Sequence, residues 1–279
     1  MINALIDFFR HLFGGKKAID NTPISSGALA YLNEQVDFYR SLNDEDKQLF
    51  VQRVGLFVNT TEICGRGIEV TDNDRVLVAA SAIIPVWSFA DWHYFNLQTV
   101  ILLPGAFNED YEHGKQDSLI TGMVGTGFMK GKMLLSQPAL HYGFANEKDK
   151  KNVGIHEFAH LIDMADGDCD GFPERMSKYA YFQPWIKFVE KKISDIHQKN
   201  SNINPYGGTN EQEFFAVTTE YFFERPQLLK KKHPQLYDEL MAFYQQDMAS
   251  INNDVKPRKQ QPCPCGSGKK YKRCCLPKS

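Results

Sequence analysis

The stretch GIHEFAHLIDMADG, residues 154–167, carries two histidines four positions apart with a glutamate beside the first. Residues four apart lie one above the other on the same helix face. His156 and His160 can therefore offer two imidazole nitrogens to one tetrahedral Zn²⁺ at about 2.0–2.1 Å. Glu157 points about 100° round the helix, beside such an ion rather than on it, where a carboxylate can take a proton from activated water. Ile155, Phe158, Ala159, Leu161 and Ile162 make the rest of this helix apolar. Three ionisable groups on a buried helix need partners or a metal. Asp163, seven after His156, falls on the histidine face and is expected to accept a hydrogen bond from a ligating ring.

A catalytic zinc keeps three protein ligands and one open position. The continuation that would supply a third histidine on the same segment is excluded, because Asp163 and Asp166 stand at the required glycine and histidine positions. The third ligand is sought in TNEQEFFAVTTEYFFERP, a helix opened by Thr and Asn caps and closed before Pro226. Glu213 and Glu220, seven apart, share a face there amid Phe214, Phe215, Tyr221, Phe222 and Phe223. One is expected to bind the metal and the other to orient a ligand; spacing leaves open which.

Around these two helices the chain reads as mixed. Asn43 caps a helix with an apolar stripe from Leu49 onward, and TDNDRVLVAASAII is a second capped helix stopped before Pro85. LQTVILL, residues 97–103, is a buried strand, and GKMLLS, residues 131–136, a second strand. That second strand is expected to offer an edge for pairing with an extended peptide. GMVGTGFMKG before it reads as a loop. Lys130 occupies the third glycine position of a dinucleotide fingerprint, so nucleotide binding is not expected there.

Length suffices for one sizeable domain and a small appendage. The division expected is an amphipathic segment at 1–25, a main domain at 26–254, a linker at 255–262 and a cysteine-rich knuckle at 263–279. The opening MINALIDFFRHLFGG places Ile2, Leu5, Ile6, Phe9, Leu12 and Phe13 on one helix side; lacking lysines opposite, it is expected to pack on the body rather than on lipid. No window has the roughly 18 uninterrupted apolar residues of a spanning helix, and no secretory leader is evident, so a cytoplasmic location is expected. The net charge of -2 hides an asymmetry: residues 255–279 hold eight Lys or Arg and no acid, leaving 24 basic against 34 acidic residues in the body.

The segments HEFAHLID, NEQEFFAVTTEYFF and LYDELMAFYQQD resemble the Mlc titration factor A family of gluzincin peptidases, densely over about 150–250 and more weakly upstream through SAIIPVWSF and TVILLPGAF. The resemblance implies an α+β fold, a mainly helical zincin-like metallopeptidase domain with a small mixed sheet. It implies Glu213, which opens the E-x-F-A-V run, as third zinc ligand, leaving Glu220 to orient, and Tyr206 in NPYGG as an aid to catalysis. A phenol near the metal can donate to a developing oxyanion. The family is also implicated in binding the glucose repressor Mlc.

Four of the six cysteines crowd the tail, CPCGSGKKYKRCC. Cys263, Cys265, Cys274 and Cys275 around a Gly-Ser-Gly turn suit a closed four-sulfur structural Zn²⁺ site. The tail is similar to the SEC-C motif, which implies a protein- or ribosome-docking module; its lysines suit an acidic partner. By composition alone, a basic knuckle equally suits single-stranded nucleic acid.

Two functions are expected to compete. One is a zinc peptidase acting on peptides or protein termini, aminopeptidase-like cleavage included, with Glu157 as general base. The other is a protein of the same fold that sequesters a transcriptional repressor, hydrolysis being incidental.

Overall fold

The computed structural model describes residues 24–89, 92–146, 149–174 and 182–251, with positions 269, 270 and 273 of the tail. The amphipathic segment of residues 1–15 and the cysteines Cys263, Cys265, Cys274 and Cys275 lie outside the described residues.

The described residues begin with helices α1 (Ser26–Gln35), α2 (Asp37–Ser41) and α3 (Asp44–Thr60), then strand β1 (Glu62–Gly65) and α4 (Asp72–Ile83). Their starts follow local chemistry. Ser25 and Asn43 accept the orphan N–H groups of Ala28 and Asp46. Thr71 and Asp74 form a reciprocal capping box that opens α4. Next come β2 (Leu97–Leu103), β3 (Gly122–Val124), β4 (Gly131–Ser136) and α5 (Gln137–Ala145). The remaining helices are α6 (Val153–Asp163), α7 (Phe182–His197), α8 (Glu211–Glu224), α9 (Pro226–Lys232), α10 (Pro234–Tyr244) and α11 (Met248–Ile251).

The sheet runs in the order β1-β2-β4-β3. β1, β2 and β4 are parallel, and β3 is antiparallel to β4. Alternation along the strands sorts side chains between two faces. Val100 and Leu102 of β2, with Met133 and Leu135 of β4, enter the main helical core. Leu103 and Leu134 point the other way, into a small cluster with Phe107 and Met129 under the excursion between β2 and β3.

This order corrects one expectation. GKMLLS is not an edge: β4 is paired on both sides, with β2 and β3. The outer strand beyond it is β3, which arises inside the stretch read as a glycine-rich loop. Three residues carry too little pattern to announce a strand; pairing with β4 creates it.

The helix carrying the histidine pair is held from several sides. Asn152 caps α6 by accepting from Ile155 N, and Asn96 Nδ2 donates to Leu161 O at 2.8 Å. Gly154 lies directly against Ser81 of α4, where a Cβ would collide with the serine side chain. That close approach draws α6 onto α4 and leaves its other face for β3 and α8.

Candidate metal centre

α6 and α8 bring three donors together. His156 Nε2 lies 3.0 Å from Glu213 Oε2 and 3.1 Å from His160 Nε2, and His160 Nε2 lies 3.5 Å from Glu213 Oε2. Both rings are buried, His156 to 9% exposure and His160 to 8%. Asn210 caps α8 by accepting from Glu213 N at 2.8 Å, which fixes Glu213 in the first turn, facing α6.

Whether these residues suit a metal can be tested on their spacing. A tetrahedral ion with bonds of about 2.0–2.1 Å separates its ligand atoms by about 3.3 Å. The three observed distances straddle that value. Donor chemistry agrees: with His156 Nδ1 donating to Glu220, a neutral ring has only a lone pair at Nε2, and that lone pair faces another imidazole nitrogen and a carboxylate. A proton on a ring nitrogen or a metal cation can satisfy this meeting point, and the donor set is one that suits a metal.

Glu220 stands one layer out. Its Oε1 lies 2.8 Å from His156 Nδ1, and its Oε2 accepts from the backbone N–H of Asn152 at 2.6 Å. Asp163 makes no hydrogen bond to a histidine ring. Its Oδ2 accepts from Gly171 N at 2.8 Å, while its Oδ1 and His160 Nδ1 have no hydrogen-bond partner. The reason is local. α6 ends at Asp163, the chain turns through Gly167 at φ 108°, and the loop returns beneath the helix end, where its N–H takes the carboxylate. Cys169 of that loop lies beside Asp163, and burial first, then the Asp163 charge, push its thiol up to about 12.

Electrostatics reflect the crowding of acids. Burial opposes a charge on His156, but Glu220, Glu213 and Glu157 outweigh it and hold the ring well above the usual histidine range. Burial likewise raises Glu213, yet hydrogen bonds with His156 and His160 overcome it and bring the carboxyl to about 2. Glu157, 5% exposed, is raised by burial. Three carboxylates and two imidazoles in one buried pocket carry excess negative charge that a divalent cation would balance.

Tyr206 sits in a short turn, Pro205–Gly208, that His197 anchors through Gly208 O at 2.6 Å. Its ring centroid is 6.0 Å from that of His156, and 54% of the residue is exposed. Burial, then the charge of Glu213 and a hydrogen bond to it, push the phenol up to about 12, so it keeps its proton at neutral pH.

Residues 12–245 match the family described as glucose-regulated metallo-peptidase M90. The chain belongs to this family. Residues 261–277 match the SEC-C motif. Among curated relatives, an uncharacterized protein of Synechocystis is 28% identical over 82% of this chain and 87% of its own length. Mlc titration factor A of Pectobacterium atrosepticum is 26% identical over 78% of this chain and 87% of its own. That of Escherichia fergusonii is 24% identical over 80% and 89%. For the M90 domain of this chain, His156, His160 and Glu213 are the one group among the described residues whose donors could hold a metal. Among those residues, no helix is long and apolar enough to cross a membrane.

Two further residues shape the centre: Asn152, which both caps α6 and donates its N–H to Glu220, and Gly122, whose strand lies against Glu157. An Asn directly before a helical apolar run is a recognisable cap; nothing in the sequence marks Gly122.

Proposed function

We propose that this chain is a zinc-dependent peptidase whose metal is held by His156, His160 and Glu213. The observation that carries the reading is the convergence of those three donors at 3.0–3.5 Å, with the Glu157 carboxylate buried beside them. Zinc held there would supply Lewis acidity toward a peptide carbonyl and would lower the pKa of water to about 7. Glu157 would take a proton from the attacking water and hand it to the leaving amine. Tyr206 directs its O–H toward the developing oxyanion. Glu220 holds the His156 ring in the tautomer that keeps Nε2 free for the metal. An extended peptide pairs with the outer edge of β3, by analogy with other strand-addition sites. The substrates are peptides or protein termini, and removal of amino-terminal residues is included.

A second reading is supported by the relatives named Mlc titration factor A: this chain binds a transcriptional regulator, with hydrolysis incidental. One substitution separates the two. Glu157→Gln keeps the size of the side chain and leaves the metal donors untouched, so zinc is expected to stay bound while cleavage of a fluorogenic peptide pool is lost. Cleavage undiminished in that variant sinks the peptidase reading. A regulator interaction that survives it assigns binding to a separate surface. For the tail, Cys263, Cys265, Cys274 and Cys275 are proposed to close around a second, structural zinc and to dock an acidic protein or ribosomal partner.

A further inference from the structure

Gly122 opens β3 and pairs with Leu135 of β4. Its backbone lies outside the left-handed region, so the main chain at this point does not require glycine. Glycine within a strand carries its own cost, through backbone entropy and lost packing. What it supplies here is space. A Cβ at position 122 would stand 2.5 Å from Glu157 Oε1, 2.8 Å from Glu157 Cγ and 2.6 Å from Val153 Cγ2. All three atoms belong to α6, and two of them to the residue proposed as general base.

We infer that Gly122 is the positioning residue for Glu157: by lacking a side chain it lets the β3 backbone lie on α6 and sets where the carboxylate stands. The inference rests on the peptidase reading of the same centre. Neither neighbour can yield easily. α6 is held by its Asn152 cap and by the close Gly154–Ser81 contact, and β3 is tied to β4, with Ser136 N donating to Thr121 O at 2.8 Å. Restoring ordinary contact from 2.5 Å therefore displaces the Glu157 carboxylate by about 0.9 Å. A misplacement near 1 Å at a reacting group costs about a hundredfold in rate.

The pairing gives Gly122 a second neighbour. Antiparallel ladders alternate between hydrogen-bonded and non-hydrogen-bonded pairs. The Ser136–Thr121 bond makes that pair the hydrogen-bonded kind, so the N–H and C=O of Gly122 turn to the outer side of β3, away from β4. One residue thus borders both the general base and the edge proposed for the peptide.

The test is Gly122→Ala in the full-length chain. Zinc content by mass spectrometry is expected to be unchanged, while kcat on a fluorogenic peptide pool falls by about a hundredfold with KM little altered. The melting temperature is expected to fall by several degrees from overpacking. In a Val153→Ala/Glu157→Ala background the same glycine substitution should cost nothing, because the colliding atoms are gone. An equal loss of melting temperature in both backgrounds, or natural kcat in the single variant, overturns the inference. If the zinc-loaded natural chain cleaves nothing, the peptidase reading fails separately, and the melting temperatures still judge the contact.

Discussion

Glu220 bridges His156 and Asn152: one carboxylate oxygen lies 2.8 Å from the imidazole Nδ1 and the other 2.6 Å from the backbone nitrogen that precedes α6. Because Glu220 is 5% exposed, these contacts replace water at a buried charge. A single side chain of α8 thereby sets both the tautomer of a metal donor and the seat of the helix that carries it.

Replacing Glu220 tests that coupling. Glu220→Gln keeps an acceptor but removes the charge, and is expected to weaken zinc binding by about 10–100-fold. Glu220→Ala should weaken it further, since the Asn152 N–H is then buried without a partner. Competition against a zinc chelator measures both. Natural affinity in the two variants would mean that the ring is oriented by something else.

Metal stoichiometry separates the two proposed zinc sites. Two zinc ions per full-length chain are expected. Deleting residues 257–279 should leave one, and Glu213→Ala should remove the other. Chelation should also lower the melting temperature of the tail-deleted chain, because a ligand that binds only the folded state stabilises it. Zinc content that stays at zero in the tail-deleted chain contradicts the His156–His160–Glu213 assignment.

Acid stability should depend on Asp74, far in sequence from the metal centre. Burial alone would raise this carboxyl, but hydrogen bonds from His141, Thr71 and Gln137 outweigh it and hold it at about 2. His141 Nε2 is 2.6 Å away, and Tyr31 Oη in turn lies 2.8 Å from His141 Nδ1, so the network links α4 to α5 and α1. A carboxyl depressed on folding contributes stability that is full above its unfolded value near 4 and is lost as pH falls toward 2. The contribution is about 2 kcal/mol. Urea melts at pH 6 and pH 2.5 should show a smaller pH-dependent loss in Asp74→Asn than in the natural chain. An identical loss would remove Asp74 from the acid transition.

Where chemistry was local, the sequence could be read directly. The caps at Asn43, Thr71 and Asn210 each act within three residues, and all three open helices. LQTVILL declared a strand by its branched side chains. His156, Glu157 and His160 were legible because a helix of 3.6 residues per turn fixes their relative directions without help from elsewhere. Asp163 lies on the same helix, but its partner, the Gly171 N–H, arrives from a loop whose path the helix does not dictate.

By itself the sequence determined the spacing of two imidazoles and a carboxylate on one helix and the presence of two glutamates on another. The packing of α8 against α6 decided which glutamate meets the ring nitrogens and which holds the ring from behind, a matter of helix placement that a seven-residue interval leaves free. Tertiary structure alone also made a strand of Gly122–Val124 and laid it on Glu157, because so short a segment gains its order from the β4 backbone beside it rather than from its own side chains.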